Sequence, residues 1–127
     1  MSLLTPTPGE VIDRLSIVNL KIEACQKSGM DTKRLTTEAH KLRVYLGNNF
    51  TANTAVAILK AKLVRTNRDL WQAEDDVRTP SATVLQIASA AQNITKLNDL
   101  RCSLIRQIDK TCGVESIEEK IYAQKEP

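Results

Sequence analysis

Two long runs of regularly spaced apolar residues, one on each side of Thr79-Pro80, constrain the fold of this chain most. The first run steps by three and four residues from Val56 to Val77, the spacing of a helix packed nearly parallel to its neighbours. A residue that precedes proline disfavours helical dihedrals, so this helix should begin near residue 55 and end near residue 78. A second helix, capped by Ser81, should run to Gly113 and be roughly 45 Å long. The tight turn between them predicts an antiparallel hairpin.

The N-terminal part of the chain predicts a further helix. Thr7-Pro8-Gly9-Glu10 combines a capping hydroxyl, a proline at the first helical position and a glutamate three residues after the cap. Gly29 tolerates positive φ and should end this helix. Its apolar residues lie on more than one side of the cylinder, so it should be central, or else form a subunit contact that makes the protein a homo-oligomer.

A shorter helix should lie between these elements, from about residue 32 to 46, with Asp31 as its cap and Gly47 as its end. Its buried stripe would comprise Leu35, Ala39, Leu42 and Leu46. The whole chain of 127 residues has 3% aromatic residues and few glycines and prolines. We therefore predict a single all-α domain over residues 1–127, an antiparallel four-helix bundle whose tail, from about residue 114, adds one helical turn at Ser116 and then frays.

Composition disfavours several classes of function. The net charge of +3 arises from basic and acidic residues scattered along the chain, without the basic face of a nucleic-acid-binding protein. No run of 18 apolar residues could cross a membrane. Three cysteines without metal-ligand spacing suggest small buried side chains in a reducing compartment. These observations predict a cytoplasmic protein that has no membrane partner and requires neither a metal nor another cofactor.

Polar residues interrupt the apolar seams of the two long helices. Asn67, Trp71, Glu74 and Arg78 follow one another at helical spacing and should share a face, with Asn67 and Glu74 at least half buried. In the last helix the seam residues, at steps of four and three, are Ile94, Asn98, Arg101, Ile105, Ile108 and Cys112. A buried guanidinium requires a partner, and the acids proposed for Arg101 are Glu74, Asp75 and Asp109.

The first helix contributes further polar residues, among them Asp13 and Lys21. If this face of the first helix meets the polar faces of the two long helices, the three helices enclose a pocket for a small anionic or nucleotide-like ligand. The basic and amide side chains of the pocket would bind the charged part of the ligand, and Trp71 would stack on a ring of the ligand. The acidic side chains would orient the basic ones. The predicted non-catalytic binding site comprises Asp13, Lys21, Asn67, Trp71, Glu74, Arg78, Asn98 and Arg101.

Two other interpretations stay open. Polar groups beside an apolar seam also fix the register between helices, which would make the protein an oligomeric scaffold with a structural polar network. Alternatively, Glu10 and Asp13 could join residues 74–76 around Mg²⁺, as in an all-α nucleotide hydrolase, although the repeated E-x-x-E pairs of such enzymes are absent. Enzymatic activity is therefore undecided, and binding without reaction is favoured.

The combined motifs resemble a family. They are G-E-x-I-D-R-L-S-I-x-x-x-K-I from residue 9, N-x-x-L-W-x-x-E-D-x-x-R from residue 67, and L-N-x-x-R-x-x-L-I-x-x-I-D from residue 97. This pattern resembles small all-helical bacterial and phage proteins classified as domains of unknown function. The resemblance implies an α-helical fold and a shared polar stripe, and it supplies no activity. In a phage, a chain of this kind could act as a sponge for a signalling nucleotide.

Overall fold

Four helices make up the fold. In a computed structural model, which describes residues 5–51 and 53–114, they are α1 (Pro8–Lys27), α2 (Lys33–Asn49), α3 (Thr54–Arg78) and α4 (Val84–Thr111). The described residues contain no strand, and α3 and α4 pack along each other as an antiparallel hairpin. The predicted all-α bundle with a long hairpin is therefore confirmed. The prediction for the tail falls on residues 115–127, which lie outside the described residues.

Side-chain caps begin three of the helices. The Thr7 hydroxyl accepts from the backbone N–H of Glu10 at 3.2 Å, as the sequence predicted. The carboxamide oxygen of Asn53 accepts from the N–H of Val56 at 2.8 Å. α4 begins at Thr83, which forms a reciprocal capping box with Gln86, and the prediction of Ser81 as its cap is wrong. The T-x-x-Q spacing carries that signal, because each residue satisfies an N–H group of the other.

The second helix extends further than predicted. α2 runs through Gly47 to Asn49, so Gly47 does not end it. Its φ is not positive, and the side-chain amide of Asn49 donates to the carbonyl oxygen of Tyr45, one turn back, at 2.8 Å. A helix accommodates glycine at a cost of about 1 kcal/mol when neighbouring bonds continue. The buried stripe of α2 is confirmed, since Ala39 is fully covered and the three leucines pack beside it.

α1 is the central helix, because it packs against each of the other three. Ile12 joins a core cluster with α3 and α4, and Val18 joins a second cluster with Ala39 of α2. Leu20, on another side of α1, is also buried. The broad apolar surface of α1 is thus covered within the chain, which removes the observation that suggested α1 as a subunit contact.

The first turn of α1 meets the last turns of α4 in a close, antiparallel approach. The backbone N–H of Gly9 donates to Oδ1 of Asp109 at 2.7 Å, placing a buried carboxylate at the positive end of α1. A Cβ at Gly9 would lie 2.5 Å from the carbonyl oxygen of Ile105. Only glycine fits at this approach, which fixes where α1 lies along the hairpin.

Candidate functional site

A carboxylate on α1 forms the centre of a polar network between three helices. Asp13 accepts two hydrogen bonds from Arg101 of α4, from Nε to Oδ1 at 2.8 Å and from Nη2 to Oδ2 at 2.5 Å. The Asp13 side chain is 9% exposed and that of Arg101 is 31% exposed. This paired geometry holds the guanidinium plane in one orientation, as bidentate arginine–carboxylate pairs do.

Asn67 of α3 extends the network to the third helix. Its amide nitrogen donates to Oδ1 of Asp13 at 2.9 Å and to the hydroxyl oxygen of Ser16 at 3.2 Å. Asp13 and Ser16 lie one turn apart on α1, so a single amide can bond to both. Asp13, Ser16 and Asn67 are all buried. The network therefore fixes the rotation of α1 against both helices of the hairpin.

The network is electrostatically self-contained. Hydrogen bonding to Asp13 raises the pKa of Arg101, partial burial opposes this, and the charges of Asp13 and Glu74 add to the increase, so the guanidinium stays protonated. Among the described residues, no buried side-chain nitrogen or oxygen lacks a hydrogen-bond partner. The polar groups between these helices consequently need no ligand to satisfy them.

The structure brings three of the eight predicted site residues into contact, namely Asp13, Asn67 and Arg101. Ser16 completes the group and was not among the predicted site residues. The predicted acids for Arg101 were wrong, because its partner is Asp13 of α1. Glu74 and Asn98 are exposed, contrary to their expected burial. Both lie along the seams, so periodicity alone could not separate them from the buried positions.

The remaining predicted residues take no part in the network's hydrogen bonds. Lys21 and Trp71 are half-buried, and Arg78 is exposed at the end of α3, where it pairs with Asp75 at 3.2 Å. A groove of about 780 Å³ lies between the end of α3 and the start of α4, and one of about 440 Å³ lies between α1, α2 and α3. Neither groove is lined by any of the eight predicted residues.

The described part of the chain contains three free cysteines, which differ in exposure. No group of three His, Cys, Asp or Glu side chains there is placed to hold a metal ion. Cys25 and Cys112 are half-buried while Cys102 is exposed, so the expectation of a buried side chain is wrong for Cys102. Burial, and then the charge of Asp109, raise the pKa of the Cys112 thiol. None of the helices described is long and apolar enough to cross a membrane.

Comparison with known proteins identifies the family. A family model described as "Protein of unknown function (DUF4254)" matches residues 57–126. The chain belongs to DUF4254. The DUF4254 match contains α4 and all but the first three residues of α3, with Asn67 and Arg101. It begins after α1, so their partners Asp13 and Ser16 lie outside it. No curated protein and no solved structure matches the chain.

Proposed function

We propose that this DUF4254 protein is a non-catalytic interaction protein of the cytoplasm, which presents the free end of its α3–α4 hairpin to another protein. One observation carries this proposal. The first half of α4 is rich in apolar side chains that the described chain leaves uncovered, with Val84 84% and Leu85 83% exposed. Exposed apolar patches on soluble proteins commonly mark interaction surfaces. The exposed thiol of Cys102 suits a reducing compartment.

The two halves of α4 differ sharply in their surroundings. Its buried residues, Leu104, Ile108 and Asp109, all lie in the C-terminal part of the helix. In the N-terminal part, no Asp, Glu, Lys, Arg or His occurs between residues 79 and 95, although 26% of the chain is charged. A helix face that only meets water normally carries charged side chains. The absence of charge from this stretch is what an interface would require.

The polar network supports the same proposal in a different way. A buried ion pair contributes little net stability, because desolvation offsets the attraction between the charges, and its best-attested role is to fix register. In this chain Asp13 and Arg101 would hold α1 at one rotation against the hairpin. The network would then be a structural device that keeps the hairpin rigid for its partner.

Photo-crosslinking tests this proposal. Benzoylphenylalanine in place of Val84 should yield a crosslinked adduct when cells that make the protein are irradiated. The matched control is the same substitution at Gln107, which is exposed on the same helix but lies beyond the apolar stretch. Equal yields at both positions, or no adduct at Val84, would show that this surface contacts no protein.

Binding of a small anionic or nucleotide-like molecule is a second candidate function, favoured by one observation. The Arg101 side chain remains 31% exposed, and Trp71 is half-buried one turn beyond Asn67 on α3. An indole and an accessible guanidinium are the groups that would bind an aromatic anion, for example a signalling nucleotide sequestered by a phage sponge. The hydrolase alternative lacks such support, because Glu10 caps α1 and Asp13 is held by Arg101.

Trp71 is the only tryptophan of the chain, so its fluorescence would report this binding directly. Titration with a panel of mono-, di- and cyclic nucleotides should give a saturable change in emission. The variant Asn98→Ala, at an exposed position one turn from Arg101, should weaken that binding several-fold while the fold is retained. A flat emission signal for every nucleotide would exclude a site beside Trp71.

A further inference from the structure

The uncovered part of α4 continues a seam that is used elsewhere in the same molecule. Val84, Ile87, Ala91 and Ile94, here called the distal stripe, follow one another at steps of three and four residues. The same steps lead on through Asn98 to Arg101, Ile105 and Ile108. In that second half Arg101 bonds to Asp13 of α1, and Ile108 packs with Ile12 of α1. α4 packs along α3 throughout the hairpin, and it also carries this seam, of which α1 covers the C-terminal part.

Three of the four residues of the distal stripe, Val84, Ile87 and Ala91, are exposed in the described chain. Val84 is 84% exposed, Ile87 is 39% exposed, and Ile94 is half-buried. The first and last described residues, 5 and 114, both lie near the C-terminal end of α4, where the N–H of Gly9 donates to Asp109. Val84 is about 37 Å from Asp109 along the helix. Neither described end of the chain is thus beside the distal stripe.

We infer that a second copy of this chain covers the distal stripe, the two α4 helices packing antiparallel across a two-fold axis near Ala91. This inference rests on the proposed function and names its partner. A seam with heptad spacing is geometrically complementary to another helix with the same spacing. A two-fold axis presents the same patch to itself, so a self-complementary surface closes as a dimer.

The uncharged surface around the distal stripe favours packing against a second copy of itself over packing against a charged partner. Because residues 79–95 carry no charge, they offer nothing with which an oppositely charged partner could be selected. Ala88 and Ala91 are small enough to let two helix backbones approach closely. With the axis at Ala91, Ile87 of one copy lies beside Ile94 of the other, and Val84 lies beside Asn98. The exposed amide of Asn98 then flanks the apolar contact as part of a polar rim.

Sedimentation analysis of the full chain tests the dimer. The average mass of the wild-type protein should rise with concentration from 14.1 kDa towards twice that value. Val84→Glu and Ala91→Glu, at exposed positions, should remain at 14.1 kDa without loss of helicity. The matched control is Val44→Glu, which alters another exposed valine, on α2, and should associate as the wild type does. A wild-type mass that stays at 14.1 kDa up to about 1 mM would overturn the inference, as would equal dissociation by Val44→Glu.

A disulfide trap tests the position of the axis. In a Cys102→Ser background, Ala91→Cys should form a covalent dimer on oxidation, because a residue at a two-fold axis faces its own copy. Gln107→Cys in the same background is the control and should remain monomeric. Equal crosslinking of the two variants would overturn the proposed arrangement.

The outcomes also separate this inference from the proposed function. If the purified chain is a monomer and the Val84 crosslinker captures a protein of another mass in cells, the second copy is wrong and the interaction surface stands. If the chain is a monomer and no adduct forms, both are wrong.

Discussion

At Asp13 a single carboxylate joins three helices, so its charge can be tested alone. Asp13→Asn keeps the size of the side chain but leaves the partly buried Arg101 guanidinium without its counter-ion. We expect the free energy of unfolding to fall by about 2 kcal/mol, less than for a fully buried pair because Arg101 reaches solvent. Urea unfolding followed by circular dichroism would measure this change.

The neighbouring residue provides the control for that prediction. Arg14 pairs with Glu38 at 2.7 Å, with the two side chains 53% and 36% exposed, so Arg14→Gln should change stability by less than about 0.5 kcal/mol. The double variant Asp13→Leu, Arg101→Leu should be less destabilised than Asp13→Leu alone, because no unpaired charge remains and only the Asn67 amide loses an acceptor. Equal effects of Asp13→Asn and Arg14→Gln would contradict a buried network.

Two helical glycines allow a paired test of the close approach between α1 and α4. At Gly9 a Cβ would meet the Ile105 carbonyl oxygen at 2.5 Å, whereas at Gly47 nothing lies within 4 Å. Gly9→Ala should therefore lower stability by roughly 2 kcal/mol or more, by analogy with other overpacked sites. Gly47→Ala should raise it by about 0.5–1 kcal/mol, because alanine favours helix. Thermal unfolding would measure both, and a stabilised Gly9→Ala would refute the contact.

Some of these residues were accessible from the sequence and others were not. Asp13, Asn67 and Arg101 stand out because polar groups at or beside apolar seams need partners. Their pairing was not predicted, because periodicity places residues on one helix and says nothing about how two helices are rotated against each other. Gly9 and Asp109 lie 100 positions apart, and no local pattern links them.

Within α3 and α4, the sequence did not predict where along the helix burial by neighbouring helices ends. Glu74 lies two turns beyond Asn67 on α3 and shares its side of the helix, yet one is exposed and the other buried. Asn98 and Ile108 differ in the same way on α4. The seam of α3 was predicted correctly, whereas that of α4 missed the buried Leu104 and Asp109. The depth of burial depends on how far α1 accompanies the hairpin. How far α1 runs beside the hairpin is determined by tertiary packing, and the apolar periodicity of one helix does not specify it.

This difference along α4 predicts a gradient in hydrogen exchange. Amides of residues 84–93 should exchange faster than those of residues 101–110 in dilute protein, because the first stretch has no buried side chain. Exchange monitored by mass spectrometry at low micromolar concentration would show the gradient. Uniform protection along α4 would mean that the N-terminal half is covered after all.

At the scale of the molecule, α1 connects α2 to the hairpin, so the described chain should unfold as one unit. Val18 is fully buried against Ala39 of α2, whereas Trp71 lies on α3. Val18→Ala should lower stability by about 1–2 kcal/mol through its lost packing. Fluorescence of Trp71 and circular dichroism should report the same shifted midpoint. If only the dichroism shifted, α1 and α2 would be a separate folding unit.

The overall architecture was the part most open to prediction. The four described helices and the turn at Thr79-Pro80 followed from apolar spacing and caps, because those signals are local. The apolar residues on several sides of α1 predicted either a central helix or a subunit contact, and packing within the chain made it central. These local signals do not predict what covers the start of α4. An apolar stripe exposed to solvent and one covered by another molecule have the same periodicity.

The uncharged stretch of α4 has one further consequence, for the response to ionic strength. A surface without ionisable groups has no charges for salt to screen. Sodium chloride should therefore hardly change the affinity of binding through this stretch. Ammonium sulfate should strengthen it, as it strengthens the burial of apolar surface in general. A contact of this kind would persist through osmotic changes in a cell that disrupt charge-guided encounters between other proteins.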